Sequence, residues 1–172
     1  MDTQTQTTDK SVGKELFIKM VFTNWEIQNT RVDKLLDTLT DEQLITETAP
    51  GRNSGIYIIG HLIAVNDGML PLLGFGEKLY PELANIFLTN PDKSGLEKPS
   101  LQELKQYWKN INNTIREHSS KMPADEWFTK HTAISEEDFL KEPFRNKLNI
   151  VINRTNHQSY HLGQLVYLQN KG

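Results

Sequence analysis

The last quarter of the chain sets the hardest condition on any fold. Leu148, Val151, Ile152, Leu162, Leu165, Val166 and Leu168 fall at helical spacing, and Asn153, His157, His161 and Gln164 cross them as a polar line at intervals of four, four and three. Polar groups on an otherwise apolar helix are expensive to bury unless bonded, so this line calls for a site or an interface. At about 3.6 residues per turn, His157 and His161 project from one face, where both rings can reach one metal ion.

A pair of ligands needs a third. The best candidate is His61 in Gly60-His61-Leu62-Ile63-Ala64, an apolar helical segment far upstream. A lone histidine there also fits a core residue satisfied by a backbone carbonyl. Three histidines meeting between helices would form a ligand set typical of catalytic metal sites, which keep a coordination position open. The other two histidines have polar company: His118 lies among Arg116, Glu117, Ser119 and Ser120 and reads as solvated, and His131 is set aside with it.

The surroundings narrow the classes. A chain of 172 residues fits one domain spanning 1–172 with a core of its own. Cysteine is absent, which removes disulfides, thiolate ligands and a cysteine nucleophile and fits a reducing cytoplasm. The net charge of -3 and scattered basic residues give no footprint for nucleic acid. Residues 1–11 are polar, lack the apolar stretch of a secretory signal and are expected to form a flexible tail. The stretch from Ile56 to Leu73 is broken by His61, Asn66, Asp67, two glycines and Pro71, too polar in its second half for a membrane span. A soluble cytoplasmic protein acting on a small molecule is expected, with no nucleic-acid or membrane partner.

Read in order, the chain divides into helices and breaks. A long amphipathic helix is predicted from about Val12 to Leu39, with Phe17, Val21, Trp25, Val32, Leu35, Leu36 and Leu39 on its stripe and Leu16, Met20 and Ile27 on a second edge. Thr40-Asp41-Glu42-Gln43 has the capping-box pattern, and Ala49-Pro50-Gly51 breaks the turn it opens. Ser54 caps a second helix to about Leu70, apolar nearly all round, in which Gly60 lets a neighbour come close. Glycines and prolines from Pro71 to Pro99 then mark a long crossover with one short helix around Pro81 to Leu88. Phe75, Tyr80 and Phe87 are its aromatics, available for a pocket rim or for packing over the core.

Ser100-Leu101-Gln102-Glu103 repeats the capping-box pattern and opens a third helix to about Met122, with Leu104, Trp108, Ile111 and Ile115 on its stripe. Asp125-Glu126 after Pro123 echoes Asp41-Glu42, a weak sign of two related helical hairpins. The acidic run Glu136-Glu137-Asp138 reads as a solvated loop ending at Pro143, and the fourth helix runs from about Phe144 or Asn146 to Gln169.

His61 on the second helix and Asn153-Arg154-Thr155-Asn156-His157-Gln158-Ser159-Tyr160-His161-Leu162-Gly163-Gln164 on the fourth resemble the DinB/YfiT-like superfamily of metalloenzymes. The resemblance extends from the first helix to the terminal His-x3-His-x2-Gln. It implies an all-α four-helix bundle in up-down-down-up order, with the long crossover between helices 2 and 3. It also implies one divalent metal held by His61, His157 and His161, and frequent homodimers. Members of the superfamily include S-transferases and isomerases that use bacillithiol or mycothiol, alongside many with no known activity.

Two reaction classes follow from three neutral imidazoles around a metal. A metal-bound water brought towards a pKa of about 7 gives a hydrolase; a small thiol held as thiolate for attack on an electrophile gives a transferase. A non-catalytic association module is the third reading, weakened because structural zinc sites have four protein ligands. Zinc or nickel is expected, and manganese or iron also suit three histidines. Asp67, Asn153, Arg154 and Gln164 are the candidates for supporting roles: Asp67 as base, ligand support or cap, and Asn153, Arg154 and Gln164 to orient ligands or bind a substrate anion, with a surface salt bridge the favoured reading of Arg154.

Overall fold

The structure, a computed structural model, describes the backbone of residues 3–170 and the side chains of residues 12–169. Of the tail expected over residues 1–11, Met1 and Asp2 lie outside the described residues, and the backbone from Thr3 onward belongs instead to the first helix. The fold is all-α, with α1 (Thr3–Thr38), α2 (Asp41–Leu44), α3 (Gly55–Asp67), α4 (Met69–Leu73), α5 (Leu101–Ser119), α6 (Glu136–Lys141) and α7 (Lys147–Leu165). A π-helical turn covers Asn85–Thr89, and 3-10 turns cover Ala124–Phe128 and Val166–Asn170. Among the described residues there is no strand, only two isolated bridges.

The helix starts are written in local chemistry. Thr40 and Ser100 each form the full capping box, their hydroxyls accepting the backbone N–H of Gln43 and Glu103 while those side chains accept in return. Ser54 and Asn146 cap α3 and α7. The acidic run expected as a loop is instead a short helix. Ser135 caps it by accepting from Asp138 N–H, and Glu136, Glu137 and Asp138 occupy the first turn, where carboxylates favour the helix dipole.

Residues from α1, α3, α5 and α7 share one hydrophobic core: Val21, Trp25 and Val32 meet Ile58, Leu62, Trp108, Ile111, Val151 and Leu162. Trp25 and Trp108 are buried, and the indole N–H of Trp108 donates to Asp33 at 2.8 Å. The stretch Gly55–Leu73 has the length and apolarity of a membrane span, yet 67% of it is buried inside the protein, which explains an apolar surface on every side. The second edge of α1 is not core. Leu16, Met20 and Ile27 face solvent, and so does Phe17, which its spacing had put on the buried stripe.

Each of the four longest α-helices also buries one amide. Gln158 on α7 donates to Asn29 on α1 at 2.9 Å, and Asn66 on α3 donates to Asn112 on α5 at 3.4 Å. Buried amides tolerate few alternative partners, so these pairs fix how the helices register.

Residues 74–100 leave α4 through Gly74, whose φ of 77° ends the helix in the left-handed region. The helical turn expected over Pro81 to Leu88 lies slightly later, as the π-turn at Asn85–Thr89. The segment is tied down by Tyr57, whose hydroxyl donates to the Asn90 carbonyl, and by Asp92, which accepts the Ser54 N–H. Phe87 is fully buried against Tyr57, a core residue rather than a rim. Tyr80 stacks on Tyr107 and Phe75 on His118, so exposed His118 has an aromatic neighbour. His131, set aside as polar, is in fact buried, its Nδ1 accepting the Ala133 N–H.

Candidate metal centre

Two helices build the site. α3 carries His61 at its middle and α7 carries His157 and His161 one turn apart, so the three expected histidines are brought together from positions 96 residues apart in sequence. The His157 Nε2 lies 3.1 Å from Nε2 of His61 and 3.1 Å from Nε2 of His161. All three donor atoms fall within 4.8 Å of one another. The rings meet edgewise, with interplanar angles of 56°, 66° and 80°, so nitrogens rather than ring faces converge.

The outer nitrogens assign the tautomers. His61 Nδ1 lies 2.9 Å from the Phe87 carbonyl, which can only accept, so Nδ1 carries the proton and Nε2 presents a lone pair. His161 Nδ1 lies 2.8 Å from Gln164 Oε1, with the same consequence, and Gln164 Nε2 in turn donates to the Tyr160 hydroxyl at 3.2 Å. His157 Nδ1 is buried with no partner among the described residues. Burial, followed by His161, His61 and Arg154, lowers the His157 pKa from 6.5 to about 4. Burial also lowers that of His161, opposed by Gln164. Both rings are therefore neutral near pH 7, the state a metal ligand requires.

This donor set fits a divalent ion. Metal–nitrogen bonds of about 2.0–2.1 Å at tetrahedral angles place donors roughly 3.3 Å apart, and octahedral angles place them at about 3.0 Å. Two of the three separations, both 3.1 Å and both made by His157, lie between the two values, and the third lies within 4.8 Å. The group consists of histidines alone, with no carboxylate among its ligands.

The supporting candidates separate clearly. Gln164 sits behind His161, as its position in the polar line implied. Asp67 is turned away, its oxygens accepting the N–H groups of Leu79 at 2.7 Å and Tyr80 at 3.0 Å, so it caps the connection after α4. Burial raises its pKa, against those two bonds. Asn153 is exposed on α7. Arg154 makes no salt bridge among the described residues, and its Nε is buried without an acceptor. The Phe87 carbonyl behind His61 was beyond sequence reasoning, because a backbone acceptor has no residue signature.

The sequence profile of the DinB superfamily matches residues 24–165, the span that holds all three histidines. The chain belongs to the DinB superfamily. No curated protein matches it. Among solved structures, this DinB protein is similar to a conserved protein from Enterococcus faecalis at 14% identity and a TM-score of 0.61, covering 87% of this chain and 93% of that one. At that identity the likeness speaks for the fold. Superfamily membership and the three-histidine group together fit a metal-binding protein.

Proposed function

We propose that this DinB protein is a divalent-metal-dependent transferase that activates a low-molecular-weight thiol, bacillithiol-like in class, for attack on an electrophilic small molecule. The observation that carries this reading is the convergence of three imidazole Nε2 atoms with no carboxylate among them. A divalent ion held there, zinc or nickel by preference and manganese or iron as substitutes, supplies the Lewis acidity that turns a bound thiol into thiolate near neutral pH. The chain has no cysteine, so the sulfur comes from a cosubstrate. His61, His157 and His161 position it, while the Phe87 carbonyl and Gln164 hold two of the rings in the required tautomer. The sulfur forms a bond to the electrophilic carbon as the leaving group departs with its electron pair.

The second reading, a metal-dependent hydrolase, is disfavoured by the place of Asp67. Both of its oxygens are engaged by backbone N–H groups, so Asp67 is not held at the histidines as a general base. The association-module reading is disfavoured by a ligand set of three. We also read the four long helices as the superfamily's up-down-down-up bundle, supported by the long connection over residues 74–100. We place the protein in the cytoplasm, which its lack of cysteine suits. A homodimer is supported by exposed Phe17 and Met20, which line a groove of about 310 Å³ with Ile152 and Asn156. A monomeric mass by light scattering at micromolar concentration would remove the dimer.

The deciding experiment is elemental analysis of tag-free protein beside His61→Ala, His157→Ala and His161→Ala, followed by a thiol-conjugation assay with an aryl halide. Near-stoichiometric metal lost in all three variants, with thiol incorporated into product, is expected. Metal content that survives His157→Ala refutes the ligand set; substrate turnover without thiol incorporation favours the hydrolase.

A further inference from the structure

Arg154 is an unusual neighbour for such a centre. It precedes His157 by three residues and His161 by seven, so the three side chains share one face of α7, with about 5–6 Å between Cβ atoms one turn apart. The guanidinium has no carboxylate partner among the described residues, its Nε is buried without an acceptor, and burial alone shifts its proton affinity downward. An uncompensated cation part-buried in protein is costly, and a planar guanidinium is suited to bidentate recognition of a carboxylate. The three imidazoles are neutral ligands, so any divalent ion they hold keeps its full charge beside this arginine. A positive centre with no carboxylate partner among the described residues is suited to an anion from its ligand.

We infer that Arg154 is the anion-recognition residue of the histidine centre, and that the small molecule bound there carries a carboxylate in addition to the group that meets the metal. This rests on the thiol-transferase reading above and sharpens its substrate class. Arg154 binds and orients the cosubstrate. Its aliphatic stem packs in the fold, while its terminal nitrogens serve the ligand.

The test uses full-length protein loaded with cobalt(II), whose sulfur-to-metal absorption reports thiol binding without any turnover. The probes are 3-mercaptopropionate and its neutral isostere 3-mercaptopropionamide, titrated into wild type, Arg154→Met and Arg154→Lys, with cobalt content measured for each. Wild type is expected to bind the carboxylate at least about tenfold more tightly than the amide. Arg154→Met should erase that preference at unchanged cobalt content, and Arg154→Lys should retain part of it. Equal affinities in wild type, or a preference that survives Arg154→Met, overturn the inference while leaving the thiol reading intact. If neither probe produces the absorption, the thiol reading falls, and calorimetry with propionate and propionamide decides Arg154. Propionate binding that Arg154→Met abolishes supports the inference; wild type with no preference for propionate overturns it, which keeps the test valid even if Arg154→Met does not fold.

Discussion

Gly60→Ala is the substitution that most directly couples the core to the centre. On an ordinary helix this change gains about 0.5–1 kcal/mol from reduced backbone freedom. Here the added methyl would collide with three atoms of the Phe87 ring, which is fully buried and packed edgewise on Tyr57. The ring has no free space to enter, so overpacking should cost about 1–3 kcal/mol. The net loss is about 1–2 kcal/mol, or roughly 2–8 °C in Tm for a domain of this size. Phe87 also supplies the carbonyl that fixes His61, so displacing it should weaken metal binding by about 10–100-fold. Thermal unfolding of metal-free protein and chelator competition with zinc measure the two effects. Gly163→Ala on α7 is the control: no heavy atom lies within 4 Å of its added methyl, so it should gain stability. If Gly60→Ala behaves like Gly163→Ala and keeps wild-type zinc affinity, the proposed link from Phe87 to His61 is wrong.

Three further outcomes are expected. Because the folded-state pKa of His157, about 4, lies below the ordinary 6.5, the unfolded chain binds the extra proton between those values, so metal-free protein should lose stability as pH falls from about 6.5 to 4. The full shift corresponds to about 3.4 kcal/mol; partial exposure of the residue to screening solvent reduces this to about 1–2 kcal/mol, and a pH slope in denaturant titrations that His157→Ala leaves unchanged would contradict it. Gln164→Leu removes the acceptor from His161 Nδ1 and should weaken zinc about 10–100-fold with the fold intact; unchanged chelator competition would show that Gln164 does not support the ligand. Asp67→Ala leaves the Leu79 and Tyr80 N–H groups without their acceptor, at about 1–3 kcal/mol, and should speed hydrogen exchange there at full metal content. Loss of metal at undiminished stability would instead place Asp67 at the centre.

The features legible in sequence are those carried by residues close together in the chain. The capping boxes at Thr40 and Ser100 need only four adjacent residues, and both form as read. The same locality makes the His157–His161 pair and the Gln164 support readable from spacing. Phe17 shows where periodicity stops being enough: it holds a stripe position on α1, but a helix of 36 residues extends beyond the neighbours able to cover it. The run from Glu136 to Lys141 departs from its sequence pattern for a related reason. Three acidic residues suggest solvent, whereas next to the Ser135 cap they stabilise a helix start.

What sequence could not disclose is which groups lack a partner. Arg154 reads as a surface arginine among polar neighbours, and only the fold shows that nine lysines and arginines among the described residues reach a carboxylate while Arg154 reaches none. Asp67 illustrates the converse, an acid six residues from a ligand whose oxygens are taken by backbone N–H groups from residues 79 and 80. The two facts act together. Turning the one acid of α3 away keeps its carboxylate from the histidines and Arg154, so the chemistry of the centre is set in part by a carboxylate withheld as well as by the ligands supplied.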